Sequence, residues 1–295
     1  MAQSPLRLLA PTTPPPAERR RGLFEAFIDG LLAGPADLAA ARGGAQRVAA
    51  ALTAHWRPDA EPGSRDDHLV VGSVGKHTAI LPMSPVNLLY VLPEGAGDAP
   101  MAELLTGMAA VLSAALPHAF VDVEATSVMV GSGGVAVVAQ PARAHGGAFL
   151  IPGEDGWMLT NPAAELAALR MADATSHGLV TRLLALLKAW RRATAAPIRP
   201  FALEVLTRTF VIEGGHEGDP SLALCEFFAW SRRHTPAELS VPGGLARLAV
   251  DNRWHPQAEA AYWRCVLANR HAATGDLPAA LDEWRKVVGG GFPGA

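Results

Sequence analysis

Apolar residues recur at helical spacing near the start of the chain and again after its first hundred residues. Between residues 21 and 56 they follow the i, i+3, i+4 pattern of one helix face, and a second helix is predicted over 45–56. A further helix is predicted over 101–116, where leucine, methionine and valine side chains share one side. The first pattern consists of Phe24, Phe27, Ile28, Leu31 and Leu32.

Short runs rich in β-branched residues follow these helical patterns and predict strands. One run covers residues 68–73, and a second over 86–93 indicates a buried strand that stops at Pro93. Two more strands are predicted over 126–130 and 135–139, joined by the glycine-rich turn Gly-Ser-Gly-Gly. These four strands predict one small sheet in the first half of the chain.

From residue 163 onward the pattern is nearly all helical. Helices are predicted over 179–192, 201–212, 221–234 and 257–288, and the last of these is broken at Thr274-Gly275. The order of a helix, a small mixed sheet and a helical lobe indicates the α+β class, with two lobes around a cleft.

The same pattern divides the chain into three parts. Residues 1–20 are expected to form a flexible tail, because their run of prolines fits neither helix nor sheet. Residues 21–162 form the lobe that contains the sheet, and residues 163–295 form the helical lobe.

Composition limits the kinds of partner. Of the 295 residues, 49% are hydrophobic and 18% charged, which is typical of a globular protein. No apolar run reaches the length of a membrane-spanning helix and the start of the chain lacks a signal peptide, so we expect a cytoplasmic protein with no membrane partner. The formal net charge of −3 argues against nucleic acid as a partner. Cys225 and Cys265 lack metal-ligand spacing and are predicted to be small core residues.

Five segments, in a fixed order, carry a resemblance to a known family. They are GSVGKHTAI (72–80), SPVNLLYVLP (84–93), VAVVAQPARAHGGAFLIPGEDGWMLTNP (135–162), LLALLKAWRRATAAPIRPFALEVL (183–206) and GDLPAALDEWRKVVGGGFP (275–293). Together they resemble the bacterial cGAS/DncV-like nucleotidyltransferases (CD-NTases) of the polymerase-β-type superfamily, which synthesise cyclic oligonucleotide signals in anti-phage defence. The resemblance implies a nucleotidyltransferase core over residues 21–162.

The resemblance also implies a metal site that this chain does not provide. Members of the superfamily hold two Mg²⁺ ions with two carboxylates one residue apart on a strand and a third on a neighbouring strand. The matching positions here are Pro85, Asn87 and Val138. Since none is an acid, we expect no catalytic residue, no metal site and no cofactor, with Mg²⁺ binding lost or weak.

The positions that would contact phosphates match the family pattern better than the metal-ligand positions do. The resemblance implies nucleotide binding by Gly72 and Ser73 in the Gly-Ser turn, by Lys76 and Thr78 after it, and by Lys188 in the Leu-Leu-Lys-x-Trp helix. Only three of the 25 basic residues are lysines, and two of these occupy motif positions. Against this, Pro200 stands where the family often has a serine that contacts phosphate.

Other polar residues near these motifs have simpler interpretations. Asp66 and Asp67 are expected to be solvated residues of a turn or of the start of a strand, and His77 a surface or hydrogen-bonded histidine. Glu204 matches a glutamate of the family's second lobe and is expected to have a buried structural role. Asp122 and Glu124 have the i, i+2 spacing of paired ligands, although a solvated strand face is the simpler interpretation.

Three functions remain open at this level. The chain is a catalytically inactive CD-NTase-like module that binds a nucleotide, a cyclic oligonucleotide or a protein such as an active paralogue or a defence effector. Alternatively, it is an active nucleotidyltransferase with an altered metal site that uses Asp122 or Glu124. The third possibility is a structural subunit of a defence complex without a small-molecule site.

Overall fold

The computed structural model describes residues 16–59, 67–153, 156–214, 218–234, 238–243 and 247–293. Most of the predicted tail and Asp66 therefore lie outside the described residues. Residues 16–20, which we assigned to the tail, form the first turn of a helix. A mixed α+β arrangement with a small mixed sheet and a helical lobe confirms the predicted fold class.

Two helices precede the sheet, α1 (Pro16–Leu31) and α2 (Pro35–Trp56). The helix predicted from residue 45 begins ten residues earlier. Gly34 precedes Pro35, which suits the first position of a helix, and the N–H of Gly34 donates to Asp37 Oδ2 at 2.9 Å. This hydrogen bond caps the N-terminus of α2. It explains why the helical path is interrupted at this point, between two stretches of helical periodicity.

The central sheet has the strand order β1-β2-β5-β4-β3, with β2 and β5 parallel and the other pairs antiparallel. A hairpin of two further strands, which the sequence did not predict, extends the far end of β5. The strands are β1 (His68–Val71), β2 (Val86–Val91), β3 (Phe120–Val123), β4 (Val128–Ser132), β5 (Val135–His145), β6 (Ala148–Gly153) and β7 (Gly156–Thr160).

One face of this sheet packs against helices and the other turns toward the cleft. Helices α2 and α4 (Met101–Ala115) cover the first face, where alternate strand residues such as Leu88, Val137 and Ala139 are buried with Leu52. Period-2 alternation therefore places the intervening residues of β2 and β5 on the opposite face. A short helix, α3 (Gly72–Gly75), connects β1 to the segment before β2.

The second lobe is a helical cluster around α6, with a small two-stranded ribbon of β8 (Glu238–Ser240) and β9 (Arg247–Ala249) that was not predicted. The break predicted at Thr274-Gly275 is confirmed, since one helix ends at Ala273 and the next begins at Leu277. The helices are α5 (Pro162–Thr175), α6 (Leu179–Thr194), α7 (Pro200–Glu213), α8 (Pro220–Ser231), α9 (His255–Ala273) and α10 (Leu277–Val288).

Aromatic side chains join both ends of the chain to this second core. Phe24 of α1 is fully buried and packs edge-on against Trp284, at 4.9 Å between ring centroids, and against Phe292 at 4.8 Å. Burying one such side chain stabilises a fold by roughly 1.5–3 kcal/mol. Helix α1 thus belongs by packing to the helical lobe, although it precedes the sheet in sequence. None of the described helices combines the length and apolar character needed to cross a bilayer.

Candidate functional site

The site begins where β1 ends and the chain turns into α3. Gly72 has a φ of +63°, a conformation that favours glycine. A Cβ at this position would lie 2.5 Å from Asn87 Nδ2, so the turn also needs glycine for space. The amide of Asn87 therefore lies directly against the backbone of the Gly-Ser turn.

Strand register places the three predicted acid positions together. Asn87 pairs with Val71 on one side and with Val138 on the other, so Asn87 and Val138 are direct neighbours on the cleft face. Pro85 precedes β2, two residues before Asn87, and is exposed. Val138 is therefore on the neighbouring strand, beside Asn87, where the resemblance expects the third acid; its assignment to that position stays a prediction.

These residues do not fit a pair of Mg²⁺ ions. Neither proline nor valine has a side-chain donor atom, and Asn87 offers one neutral amide oxygen. Mg²⁺ requires oxygen ligands, and two such ions close together need anionic ligands to offset their repulsion. Within the described ranges, no group of three histidine, cysteine, aspartate or glutamate side chains could hold a metal ion.

The alternative acids lie far from the cleft centre. Asp122 is on β3, and the register runs Asp122, Met129, Val138, Asn87 across four strands. Three strand spacings correspond to roughly 14 Å. Asp122 and Glu124 are exposed, and the Glu124 carboxylate accepts a hydrogen bond from Ser127 Oγ at 2.7 Å. Neither carboxylate can share a metal ion with Asn87 at that separation.

Lys76 lines the cleft, but its positive charge is paired with carboxylates of the protein itself. Its Nζ lies 2.8 Å from Glu165 on α5 and 2.5 Å from Glu204 on α7, and 4.6 Å from the ring centroid of Phe201. All three charged groups are largely buried. Lys76 therefore joins the Gly-Ser segment to the helical lobe, and two carboxylates already offset its charge.

Lys188 reaches across from α6 to the same segment. Its Nζ donates to the backbone carbonyl of Thr78 at 2.5 Å and to Thr78 Oγ1 at 3.0 Å. Thr78 is buried and does not line the cavity. Burial lowers the pKa of Lys188 to about 8, while Glu204 raises it and the charges of Lys76 and Arg192 lower it.

A cavity of about 390 Å³ lies between the two lobes, within the usual range for small-ligand sites. Four of the five residues predicted to bind nucleotide line it: Gly72, Ser73, Lys76 and Lys188. Pro85 and Asn87 line it as well, so two of the three expected acid positions face the same space, whereas Val138 does not line it. The other lining residues are Ile80, Ser84, Arg191, Arg192, Pro200, Phe201 and Glu204.

Arg191 and Arg192 are cavity residues that the sequence interpretation missed. They follow Lys188 at i+3 and i+4, the spacing that places side chains on one helix face, so the signal was present in the motif. The described site contains four basic side chains and, when Glu165 beside Lys76 is included with Glu204, two carboxylates. Its formal charge is therefore +2. The site is suited to an anionic ligand.

The expectation for Asp67 was wrong. Its carboxylate is buried, accepting hydrogen bonds from Thr53 Oγ1 and, at 2.7 Å, His68 Nδ1. Burial raises the pKa of Asp67, but these hydrogen bonds and the nearby His68 outweigh it and leave the pKa below its ordinary value. His77 is exposed, as expected, and its Nε2 lies 2.9 Å from Arg42.

Solved structures resemble this chain in fold, whereas comparisons of its sequence find no match. No protein-family model matches the chain, and no curated protein sequence matches it. CdnC from E. coli MS115-1, solved with ATP, superposes with a TM-score of 0.70 at 17% identity, over 93% of this chain and 99% of CdnC. CdnC in a complex with HORMA-deltaN gives the same TM-score at 16% identity, over 93% of this chain and 98% of CdnC.

A second group of similar structures comes from DncV. The Vibrio cholerae DncV cyclic AMP-GMP synthase, in complex with nonhydrolyzable GTP, has a TM-score of 0.64 at 12% identity, over 95% of this chain and 86% of DncV. CdnC and DncV are bacterial CD-NTases. The chain therefore has a cGAS/DncV-like nucleotidyltransferase fold, which confirms the predicted resemblance at the level of the fold.

Proposed function

We propose that this protein binds a nucleotide in its interlobe cleft and does not transfer nucleotidyl groups by the two-metal mechanism. The observation that carries the proposal is the cavity itself, where Ser73 and Lys188 face the same space as Pro85 and Asn87. The cavity thus combines hydroxyl and ammonium groups suited to phosphate with positions that lack the acids expected to hold the metals. In the CD-NTase context, such a protein would act as a regulatory module in anti-phage signalling.

The phosphate part of the proposal rests on charge and donor placement. Ser73 supplies a hydroxyl, and Lys188 supplies an ammonium group that hydrogen-bonds only to neutral Thr78 oxygens among the described residues. Charge-assisted hydrogen bonds to phosphate are about twice as strong as neutral ones. Since Lys76 is already paired with two carboxylates, Lys188 is the lysine that we propose to contact the ligand.

A protein partner fits the same role. CdnC, which shares this fold, is known in a complex with HORMA-deltaN. We propose that nucleotide occupancy of the cleft controls binding to such a partner, either a defence effector or an active paralogue. No observation favours the alternative metal site, because Asp122 lies three strands from Asn87.

Nucleotide binding and transfer can be measured in one set of experiments. The full chain is incubated with ATP or GTP and Mg²⁺ or Mn²⁺, product is sought by chromatography, and binding is followed by thermal shift. We expect a higher melting midpoint and no product. Lys188→Ala should weaken binding about tenfold or more, since a charged hydrogen bond contributes about 1.5–3 kcal/mol.

Lys286 provides a matched control, because it is on α10 and pairs with Asp282 and Glu283 outside the cavity. Lys286→Ala should leave binding unchanged. Asn87→Asp should yield no product either, because Pro85 and Val138 still supply no ligand. A metal-dependent product from the wild-type chain or from Asn87→Asp would refute the inactive assignment. A midpoint that no nucleotide shifts would refute nucleotide binding.

A further inference from the structure

A continuous basic face of α6 borders the cavity. Lys188, Arg191 and Arg192 lie at i, i+3 and i+4 and all line it. On the opposite side of the helix, Trp190 is fully buried and packs against Phe228 and Trp254 at 5.1 and 6.2 Å between ring centroids. This packing fixes the rotation of α6, and with it the direction of the basic face.

The three cations of this face make hydrogen bonds to neutral oxygens. Lys188 donates to Thr78, Arg191 Nε donates to the carbonyl of Ile198 at 2.6 Å, and both terminal nitrogens of Arg192 donate to carbonyls at 2.8 Å. None of the three forms an ion pair within the described part of the chain, in contrast to Lys76. Their positive charge is therefore available to a ligand.

The opposite wall of the cavity carries no acid at the positions where the family resemblance places carboxylates. Pro85 lines the cavity and is apolar, and Asn87 presents an amide against Gly72, with Val138 beside Asn87 on the neighbouring strand. An aspartate at this point would repel a phosphate unless a divalent cation lay between them. The amide N–H₂ instead donates hydrogen bonds, which phosphate oxygens accept.

We infer that the cleft binds the polyphosphate of a nucleotide directly, without a divalent cation, between the α6 basic face and the Asn87 amide. This inference rests on the proposed nucleotide-binding function and specifies its chemistry. Guanidinium groups hold phosphate oxygens in bidentate geometry, so Arg191 and Arg192 supply the charge compensation that metal ions supply elsewhere.

The test is ATP binding to the full chain by titration calorimetry, in EDTA and in Mg²⁺. We expect binding in EDTA at least as tight as in Mg²⁺, because Mg²⁺ competes with the arginines for the same phosphate oxygens. Inorganic tripolyphosphate should compete with ATP in EDTA, and adenosine should not. Binding that requires Mg²⁺ would refute this inference and leave the proposed function standing, whereas no binding in either condition would refute both.

Two variants test the residues assigned to the phosphate. Arg191→Ala with Arg192→Ala should weaken binding in EDTA by tenfold or more. Arg182→Ala is the matched control, because Arg182 is also on α6 but pairs with Glu25 at 2.9 Å, outside the cavity lining. Circular dichroism confirms that each variant is folded.

Asn87→Asp tests the opposite wall with a side chain of the same shape. We expect weaker ATP binding in EDTA, by about tenfold, and partial recovery in Mg²⁺, which would bridge the new carboxylate and the phosphates. Unchanged affinity in EDTA would refute the role of Asn87, and unchanged affinity of the double arginine variant would refute the role of α6.

Discussion

Gly72 is the residue on which the local geometry of the cleft depends. Its positive φ turns the chain from β1 into α3, and its missing side chain lets the Asn87 amide approach the backbone. The Gly-Ser turn therefore requires glycine at position 72 for structural reasons that do not depend on any catalytic role. Ser73, which follows Gly72 directly, lines the cavity.

Replacing Gly72 by alanine should destabilise the fold by about 2–3 kcal/mol, from left-handed backbone strain and from the contact with Asn87. Gly95 has a φ of +82° but nothing within 4 Å of its added Cβ. Gly95→Ala should therefore cost only the strain, about 1 kcal/mol. Urea unfolding measures both values, and equal losses would show that the contact with Asn87 is unimportant.

Lys188 should make ligand binding depend on pH. Burial lowers its pKa to about 8, with Glu204 raising it and Lys76 and Arg192 lowering it. The ammonium group therefore loses its proton as pH rises through about 8, and affinity for ATP should fall between about pH 7 and pH 9. Lys188→Arg, which keeps its charge, should flatten this profile in calorimetric titrations.

The stability of the protein should change in the opposite direction over this range. Because the pKa of Lys188 is lower in the folded than in the unfolded chain, the unfolded chain binds more protons between about pH 8 and 10.5. This group alone then makes folding more favourable as pH rises. A fall in affinity for ATP as pH rises is therefore not explained by unfolding linked to Lys188. A wild-type affinity for ATP that does not change with pH would contradict the contact of Lys188 with the phosphates.

At the scale of elements, two adjacent strands and one helix determine the chemistry of the cleft. Parallel pairing of β2 with β5 places Asn87 beside Val138, and α6 lies across from them with its basic face toward the cavity. The spacing of Lys188, Arg191 and Arg192 was visible in the sequence. Their orientation toward the cleft follows from the burial of Trp190 on the other side of α6.

The sheet also explains why neighbouring acids cannot replace the missing ones. Asp122 shares a cross-strand row with Asn87, but β4 and β5 lie between their strands. Of the i, i+2 pair, Asp122 lies on β3, whereas Glu124 follows the end of that strand. The spacing could not reveal that β3 is at the edge of the sheet, since strand order depends on pairing between distant segments.

At the scale of the whole molecule, Lys76 joins the two lobes. It follows α3 in the first lobe and pairs with Glu204, 128 residues away in the second, as well as with Glu165. Removing one partner of a buried ion pair leaves uncompensated charge, which is more costly than losing the whole pair.

Lys76→Met should therefore lower the free energy of unfolding by about 3–5 kcal/mol. The triple variant Lys76→Met, Glu165→Gln, Glu204→Gln should recover part of this loss, because no unpaired carboxylate remains buried. Denaturant unfolding of wild type and both variants provides the comparison. If Lys76→Met unfolds at the wild-type midpoint, the ion-paired cluster does not hold the lobes together.

The sequence by itself determined the order of most elements, the α+β class and the absence of acids at three positions. These conclusions follow from local periodicity and from residue chemistry, since no fold can give Pro85 or Val138 a charge. It also supported nucleotide binding by the Gly-Ser turn and Lys188, which stays a prediction.

Only the tertiary structure decided which charged side chains are paired within the protein and which are available to a ligand. Lys76 and Lys188 both occupy motif positions, yet one is neutralised by glutamates from two distant helices and the other meets only carbonyl and hydroxyl oxygens. Asp67 was expected to be solvated and is buried beside Thr53. The reason is that tertiary packing brings together side chains that are far apart in the sequence. Local sequence patterns do not show which of these side chains become electrostatic partners.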